Sequence, residues 1–262
     1  MSEHTRGRLY PEEQPPTFRR ITPHECVKDL VRWWWVSAWE VSLGSTSQQH
    51  ILAYPDSKLS IEPDAIKITC PTTQAYAHEL AGTSWVVGAR LQPAGIALFT
   101  EDPASLADRF LPLHDPHLHE STKNAVDAQG LEAGVGVVEK RLRDSPPPSE
   151  LALLANAMVA LIEVSDKITK IEEIAEALNV SVGTVHRLAE RYIGVTPYKI
   201  IQRRRLHTAA EQLRHSPKSL AEIALANGFS DQAHFAKEFK KVVGLPPSQY
   251  RESATHGYPR GK

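Results

Sequence analysis

A chain of 262 residues is long for one ordinary domain and comfortable for two. With 41% hydrophobic and 23% charged residues it has a soluble globular composition, and no apolar run approaches the roughly 18–20 residues that cross a bilayer, which excludes a membrane-spanning protein. The net charge of -1 hides an asymmetry: residues 166–251 hold 14 basic and 9 acidic side chains against 16 and 22 elsewhere, so the basic part is the C-terminal third, a first pointer to nucleic acid.

Residues 1–17, with Pro11, Pro15 and Pro16 among charges, read as a flexible tail. They lack the basic patch and apolar core of a secretion signal, so a cytoplasmic location is expected. From about Ile21 to Leu113, short stretches rich in β-branched and aromatic residues (Val31 to Val41, Ile51 to Tyr54, Ala65 to Cys70, Trp85 to Leu91) predict strands separated by Gly, Pro, Asp and Ser. Within them, alternation puts Trp33 and Trp35 on one face and Trp34 on the other. Core packing is expected of at least two of these rings, leaving the third as a candidate pocket wall. Cys26 and Cys70 are the only cysteines; they exclude a disulfide framework or a four-cysteine zinc site and are expected to be buried thiols.

Pro103 to Phe110 predicts a short helix capped by Asp102. The stretch His114 to Leu142 has no clear period. His114, His117 and His119, beside Asp115 and Glu120, are the candidate metal ligands of this half, but solvated surface histidines are the preferred reading, and no metal or cofactor is predicted. Neither a phosphate-binding glycine loop nor a nucleophile elbow occurs, and an enzyme is not expected. Pro146 to Pro148 make a stiff break. Leu151 to Val164, apolar on most sides, predicts a helix that joins the domains or pairs two copies of the chain.

Beyond Asp166 the period is helical. Apolar residues at 171, 174, 175 and 178 form one stripe, Asn179 and Val180 interrupt it, and Ser181 caps a second helix with its own stripe at Val185, Leu188, Ala189 and Tyr192, stopped by Gly194. Two short helices joined by a tight turn are the plan of a helix-turn-helix. It recurs with Leu220, Ile223 and Ala224, a turn at Gly228 and Phe229, Ser230 as cap, and Phe235, Phe239, Val242 and Val243 before Gly244, at an offset of 49 to 50 residues. Between the units, Thr196 and Pro197 open a helix reaching about Arg214, with Leu206, Ala209, Ala210 and Leu213 inward. About 18 residues span about 27 Å. Successive major grooves on one side of DNA are about 34 Å apart, so the rod suits two recognition helices in adjacent grooves.

The run Gly194-x-Thr196-Pro197-Tyr198, Arg205-Leu206-x-x-Ala209, Ile223-Ala224 with Phe229-Ser230-Asp231, Phe235, Phe239-Lys240-Lys241 and Gly244-x-x-Pro247-x-x-Tyr250-Arg251 resembles the DNA-binding domain of AraC/XylS-type transcriptional regulators. Trp33-Trp34-Trp35-Val36-Ser37-x-Trp39-Glu40, Gly88-Ala89-Arg90-Leu91-x-Pro93-x-Gly95 and Leu106-Ala107-Asp108-Arg109-x-Leu111-Pro112-Leu113 resemble an uncharacterised N-terminal domain found in such regulators. The resemblance implies an α+β protein: a β-rich regulatory domain over 18–145, a connecting or dimerisation helix over 146–165, an all-α domain of two helix-turn-helix units and a linker helix over 166–252, and a flexible tail over 253–262. Sequence-specific binding of duplex promoter DNA is expected, modulated by a small molecule or partner chain. RNA polymerase contact is what the resemblance implies, and a homodimer is open.

Outward positions at the start of the recognition helices are the DNA-reading candidates: Val182, Gly183, His186 and Arg187 in the first, Gln232, Ala233, His234 and Lys237 in the second. An Arg187 guanidinium can bond guanine O6 and N7 together, Gln232 can pair with adenine, and Lys237 can reach guanine or phosphate. In the resembled family the position of Gly183 often carries a larger side chain. Arg203 and Arg204 on the linker are candidates for phosphate or an acidic neighbour, and the resemblance makes Arg205 structural. The alternative is a metal-dependent barrel enzyme with an attached DNA-targeting domain.

Overall fold

A computed structural model describes residues 17–42, 44–51, 56–72, 76–165 and 168–256. Its N-terminal half holds strands β1 (Thr17–Ile21), β2 (Val31–Glu40), β3 (Ser47–Ile51), β4 (Lys58–Glu62), β5 (Ala65–Thr69), β6 (Tyr76–Leu80), β7 (Thr83–Leu91) and β8 (Phe110–Pro112). Six form one sheet in the order β1-β2-β7-β4-β5-β8, while β3 pairs with β6; every pairing is antiparallel. Register decides the faces. Trp34 lies opposite Ala89 and Val36 opposite Val87, which in turn faces Ile61, so these side chains share the core face. Trp34 is fully buried there, whereas Trp33 and Trp35 take the other face and are half-buried. Trp35 lies across from Gly88, and a Cβ at Gly88 would sit 2.1 Å from its indole; the missing side chain lets the ring lie flat on β7.

Helices cover the core face. α1 (Pro93–Ile96) follows β7, then come α2 (Pro116–Gln129), α3 (Leu131–Arg143) and α4 (Glu150–Val164). The α3 helix packs on β2 and β7 with Val135, Val138 and Leu142 buried. The helix expected over Pro103 to Phe110 is shorter: Asp102 does cap it, accepting from the Ser105 amide at 3.2 Å, but only a 3-10 turn over Pro103–Leu106 forms, because Asp108 turns to a positive φ of 59° and Phe110–Pro112 joins β5 as an edge strand. Thr17, assigned to the leading tail, begins β1, while residues 1–16 lie outside the described residues. Of the strand expected at Ile51 to Tyr54, Ile51 ends β3 (Ser47–Ile51), and 52–55 lie outside the described residues. The expected trailing tail overlaps a helix that runs to His256.

The C-terminal part continues with α5 (Ile171–Ala177), α6 (Val182–Tyr192), α7 (Pro197–His215), α8 (Leu220–Ala226), α9 (Gln232–Val243) and α10 (Pro247–His256). Two apolar cores result. One runs without a break from the sheet through Met158 and Ile162 of α4 into Ile174, Val185, Leu188 and the start of α7 at Ile200 and Ile201. The other gathers Leu206 to Leu213 of α7 with Ile223, Phe235, Phe239, Val243 and Tyr250. Among the described residues, no helix is long and apolar enough to cross a membrane.

Candidate nucleic-acid interface

Each helix-turn-helix unit opens on a carboxylate that satisfies orphan amides. Glu173 accepts from the Thr169 and Lys170 amides at 2.6 and 2.9 Å, and Glu222 accepts from the Ser219 amide at 2.7 Å. These bonds hold both carboxyls below the ordinary glutamate value. The first turn uses Asn179 at a φ of 53°, a left-handed conformation that asparagine tolerates. Ser181 then caps α6 by accepting from the Thr184 amide at 3.1 Å. In the second unit the expected cap at Ser230 moves one residue on: Asp231 accepts from the His234 amide at 2.7 Å, and the Ser230 hydroxyl donates to Asp231. The His234 amide and then the Ser230 hydroxyl hold the Asp231 carboxyl below its usual range. That shift absorbs the extra residue seen in the repeat offset.

The inward stripes orient everything else. With Val185, Leu188, Ala189 and Tyr192 buried, Val182, Gly183, His186 and Arg187 are exposed at the start of α6. Arg187 donates to the Thr184 hydroxyl at 3.1 Å, so its guanidinium is held along the helix; Thr184, missed in the sequence, was marked only by its spacing of three. No Cβ occupies position 183, and the nearest atom to one would be the Ser181 hydroxyl at 3.7 Å, leaving space for a larger group. On α9, burial of Phe235, Phe239, Val242 and Val243 leaves Gln232, Ala233, His234 and Lys237 exposed. The His234 ring meets Phe229 edge-on at 5.7 Å.

The linker arginines do not face outward together. Arg203 is 7% exposed and donates to the Thr72 carbonyl at 2.7 Å, while burial pulls its guanidinium down to about 10 against nearby Asp108 and Glu238. Of the two partners expected for it, phosphate or an acidic neighbour, burial turns it away from solvent, and Asp108 and Glu238 are the acidic neighbours beside it. Arg204 is half-buried and donates to the Ile168 carbonyl at 2.8 Å; it too is turned to protein backbone. Arg205 bridges the units, donating to the Thr169 carbonyl at 3.1 Å and the Gly228 carbonyl at 3.5 Å.

The first unit sits directly on the N-terminal half. α6 packs against α4, α1 and the 3-10 turn at Pro103. Gly194, at a φ of 85°, is pressed against that turn: a Cβ there would lie 2.6 Å from the Pro103 carbonyl carbon. A cavity of about 20 Å3 between Arg32, Arg90, Val159, Glu163 and Tyr192 has room for about one water. Its wall is charged: buried Arg90 pairs with Asp56 and, at 2.5 Å, with Glu163, and also lies 4.3 Å from the Trp33 ring centre; Arg32 pairs with Glu163 at 3.0 Å. Nothing in the local spacing marks this network, in which Arg90 and Glu163 alone are 73 residues apart.

The histidine run does not converge. Asp115 caps α2, His119 Nε2 bonds the Glu62 carbonyl at 2.8 Å, and among the described residues no group of three ligating atoms forms around His114, His117 and His119.

Residues 174–253 match the family described as a helix-turn-helix domain, and residues 19–112 match a domain of unknown function, DUF6597. An uncharacterised HTH-type transcriptional regulator of Haemophilus influenzae is 35% identical over 102 residues, 39% of this chain and 34% of its own length. The HTH-type transcriptional activator RhaS of Escherichia fergusonii is 37% identical over 81 residues, 31% of this chain and 29% of its own. The match therefore spans about a third of these curated relatives. Among solved structures, an AraC-type regulator from Chromobacterium violaceum is 27% identical with a TM-score of 0.38, covering 40% of this chain and 95% of that one.

Proposed function

We propose that this chain, whose residues 174–253 form a helix-turn-helix domain of the AraC type, is a transcriptional regulator that reads duplex DNA with α6 and α9 and is controlled through its N-terminal half. In this reading residues 18–145 regulate, 146–165 join and 166–252 bind DNA. The observation that carries it is the exposure of the N-terminal faces of both recognition helices, with Arg187 and Gln232 outward on the helices that precede and follow one linker helix. The 19 residues of α7 make a rod of about 28 Å, close to the separation of successive major grooves.

Control is argued from the shared core. Because α6 packs on α4, α1 and the Pro103 turn, anything that shifts the sheet or α4 shifts the first reading head relative to the second. A small-molecule effector or a partner chain could act this way. The sheet face that carries Trp33 and Trp35 also holds buried Ser37, Ser60 and Arg90, a polar and aromatic lining of the kind that small-molecule sites use. Both heads belong to one chain, so a monomer can occupy two grooves.

Selection of sites from a random DNA pool by the full-length protein, followed by footprinting, tests this reading. A recurring site covering two successive major grooves and weakened by Arg187→Ala is the expected outcome. Only salt-sensitive binding with no enriched site would overturn it.

A further inference from the structure

Cys26 was expected in the core and is instead exposed. It sits in a 3-10 turn, Glu25–Val27, anchored by buried Val27. Its sulfur lies 3.2 Å from His24 Nδ1. Glu139 of α3, 115 residues on from His24, faces the same spot and accepts from the His24 amide at 3.2 Å. One ligating atom each from His24, Cys26 and Glu139 can be chosen so that all three lie within 4.8 Å of one another, and among the described residues no other group of three does so.

The donor types match one class of ion. Thiolate, imidazole and carboxylate together suit a borderline-soft cation such as zinc, whereas magnesium and calcium ask for oxygen alone. With zinc–ligand distances of about 2.0–2.3 Å, a tetrahedral ion holds its ligands roughly 3.3–3.7 Å apart. The sulfur–nitrogen pair is already near that spacing, and closing the third side asks for about an ångström of movement by exposed side chains. The carboxylate is also oriented from behind: the Trp34 indole, fully buried, donates to Glu139 Oε2 at 3.0 Å. A hydrogen bond from a fixed core group to a ligating carboxylate is the outer support that metal sites use. Helix α3 is itself held by Val135, Val138 and Leu142, so the donors come from two anchored elements.

We propose that His24, Cys26 and Glu139 bind one zinc-class divalent cation, with solvent completing the coordination, and that the ion ties the turn before β2 to α3. The site stands independently of the DNA-reading assignment. Its test is optical titration of the full-length reduced protein with cobalt(II). One equivalent should raise a thiolate-to-cobalt charge-transfer band that zinc abolishes by displacement. Cys26→Ser should lose that band, Cys70→Ser should keep it, and His24→Ala should weaken binding by more than about tenfold. In parallel, zinc should raise the thermal midpoint of the wild type and leave that of Cys26→Ser unmoved. Absence of the band in the wild type, or its survival in Cys26→Ser, sinks the proposal without reliance on how any variant folds.

Discussion

The first helix-turn-helix unit has no core of its own. Ile174, Val185 and Leu188 belong to the same apolar cluster as Trp34, Ile61 and Met158. The second unit is self-contained: Phe229, Phe235, Phe239 and Tyr250 succeed one another at centroid distances of 5.2, 5.4 and 5.3 Å, closed by Leu206 to Leu213 of α7. Similar sequence repeats thus become two differently housed modules. What differs is the partner: α6 spends its outer flank on α4, α1 and the Pro103 turn, whereas aromatic rings let α9 dispense with such support.

The largest expected effects come from emptying the cores. Phe235→Ala should cost about 3–5 kcal/mol and be felt in α8, α9, α10 and the second half of α7, with hydrogen exchange in the sheet unchanged. Leu188→Ala should cost about 2–5 kcal/mol and speed exchange in α4 and the sheet as well as in α6. Uniform loosening by both variants would break the contrast.

Next come the glycines that follow α6 and α9. Gly194 and Gly244 have φ of 85° and 86°, and an alanine in that region costs roughly 1–2 kcal/mol. Gly244→Ala should show about that in denaturant melts. Gly194→Ala should lose more, because its Cβ would also collide with the Pro103 carbonyl. Equal losses would mean that the first unit does not rest on the N-terminal half as described.

On DNA the contrast is between chemistries. Arg187→Ala should cost about 1–3 kcal/mol on the selected site with less effect on unrelated DNA. Lys237→Ala, if its ammonium meets phosphate, should weaken all sequences alike and lower the salt slope by about one. Titrations at several salt concentrations separate the two. A reversed pattern would exchange the roles of the two side chains.

Smallest, and equal in both units, is the acid response. The Glu173 and Glu222 carboxyls are held below the ordinary value of 4.5, so the stabilisation they give is complete above 4.5 and is lost as the pH falls through their lowered folded values. Circular dichroism of Glu173→Gln and Glu222→Gln should differ from wild type near neutrality and converge with it in acid. A difference that grew in acid would contradict the assigned bonds.

The helical half was the more legible. Period, caps and breakers lie within a few residues of one another, so α5 to α9 emerge with boundaries displaced by a residue or so, as at Asp231. In the sheet, β4 is hard to read because Lys58–Glu62, though flanked by Pro55 to Ser57 and by Pro63 and Asp64, has only Leu59 and Ile61 as apolar residues; its identity comes from pairing with β7 across the fold. The outward residues of α6 and α9 could be named because a stripe fixes its complement. Arg203 could not be placed, since burial against Thr72 depends on a contact 131 residues away. Cys26 departs from the expected burial for a related reason: in a 3-10 turn, neighbouring residues such as Val27 can be buried while the thiol is not.

Arg203, Arg204 and Arg205 stand where α7 passes from one core to the other, between Ile201 and Leu206. Each is tethered to a different stretch of backbone, at Thr72, at Ile168, and at Thr169 with Gly228. Mechanically this makes α7 a lever clamped part-way along its length, with about 16 Å of rod beyond the clamp. A tilt of about 10° there would swing the far end by about 3 Å. That is close to the rise of one base pair, about 3.4 Å, so a change too small to repack the sheet would be enough to move the second helix-turn-helix unit out of step with the first.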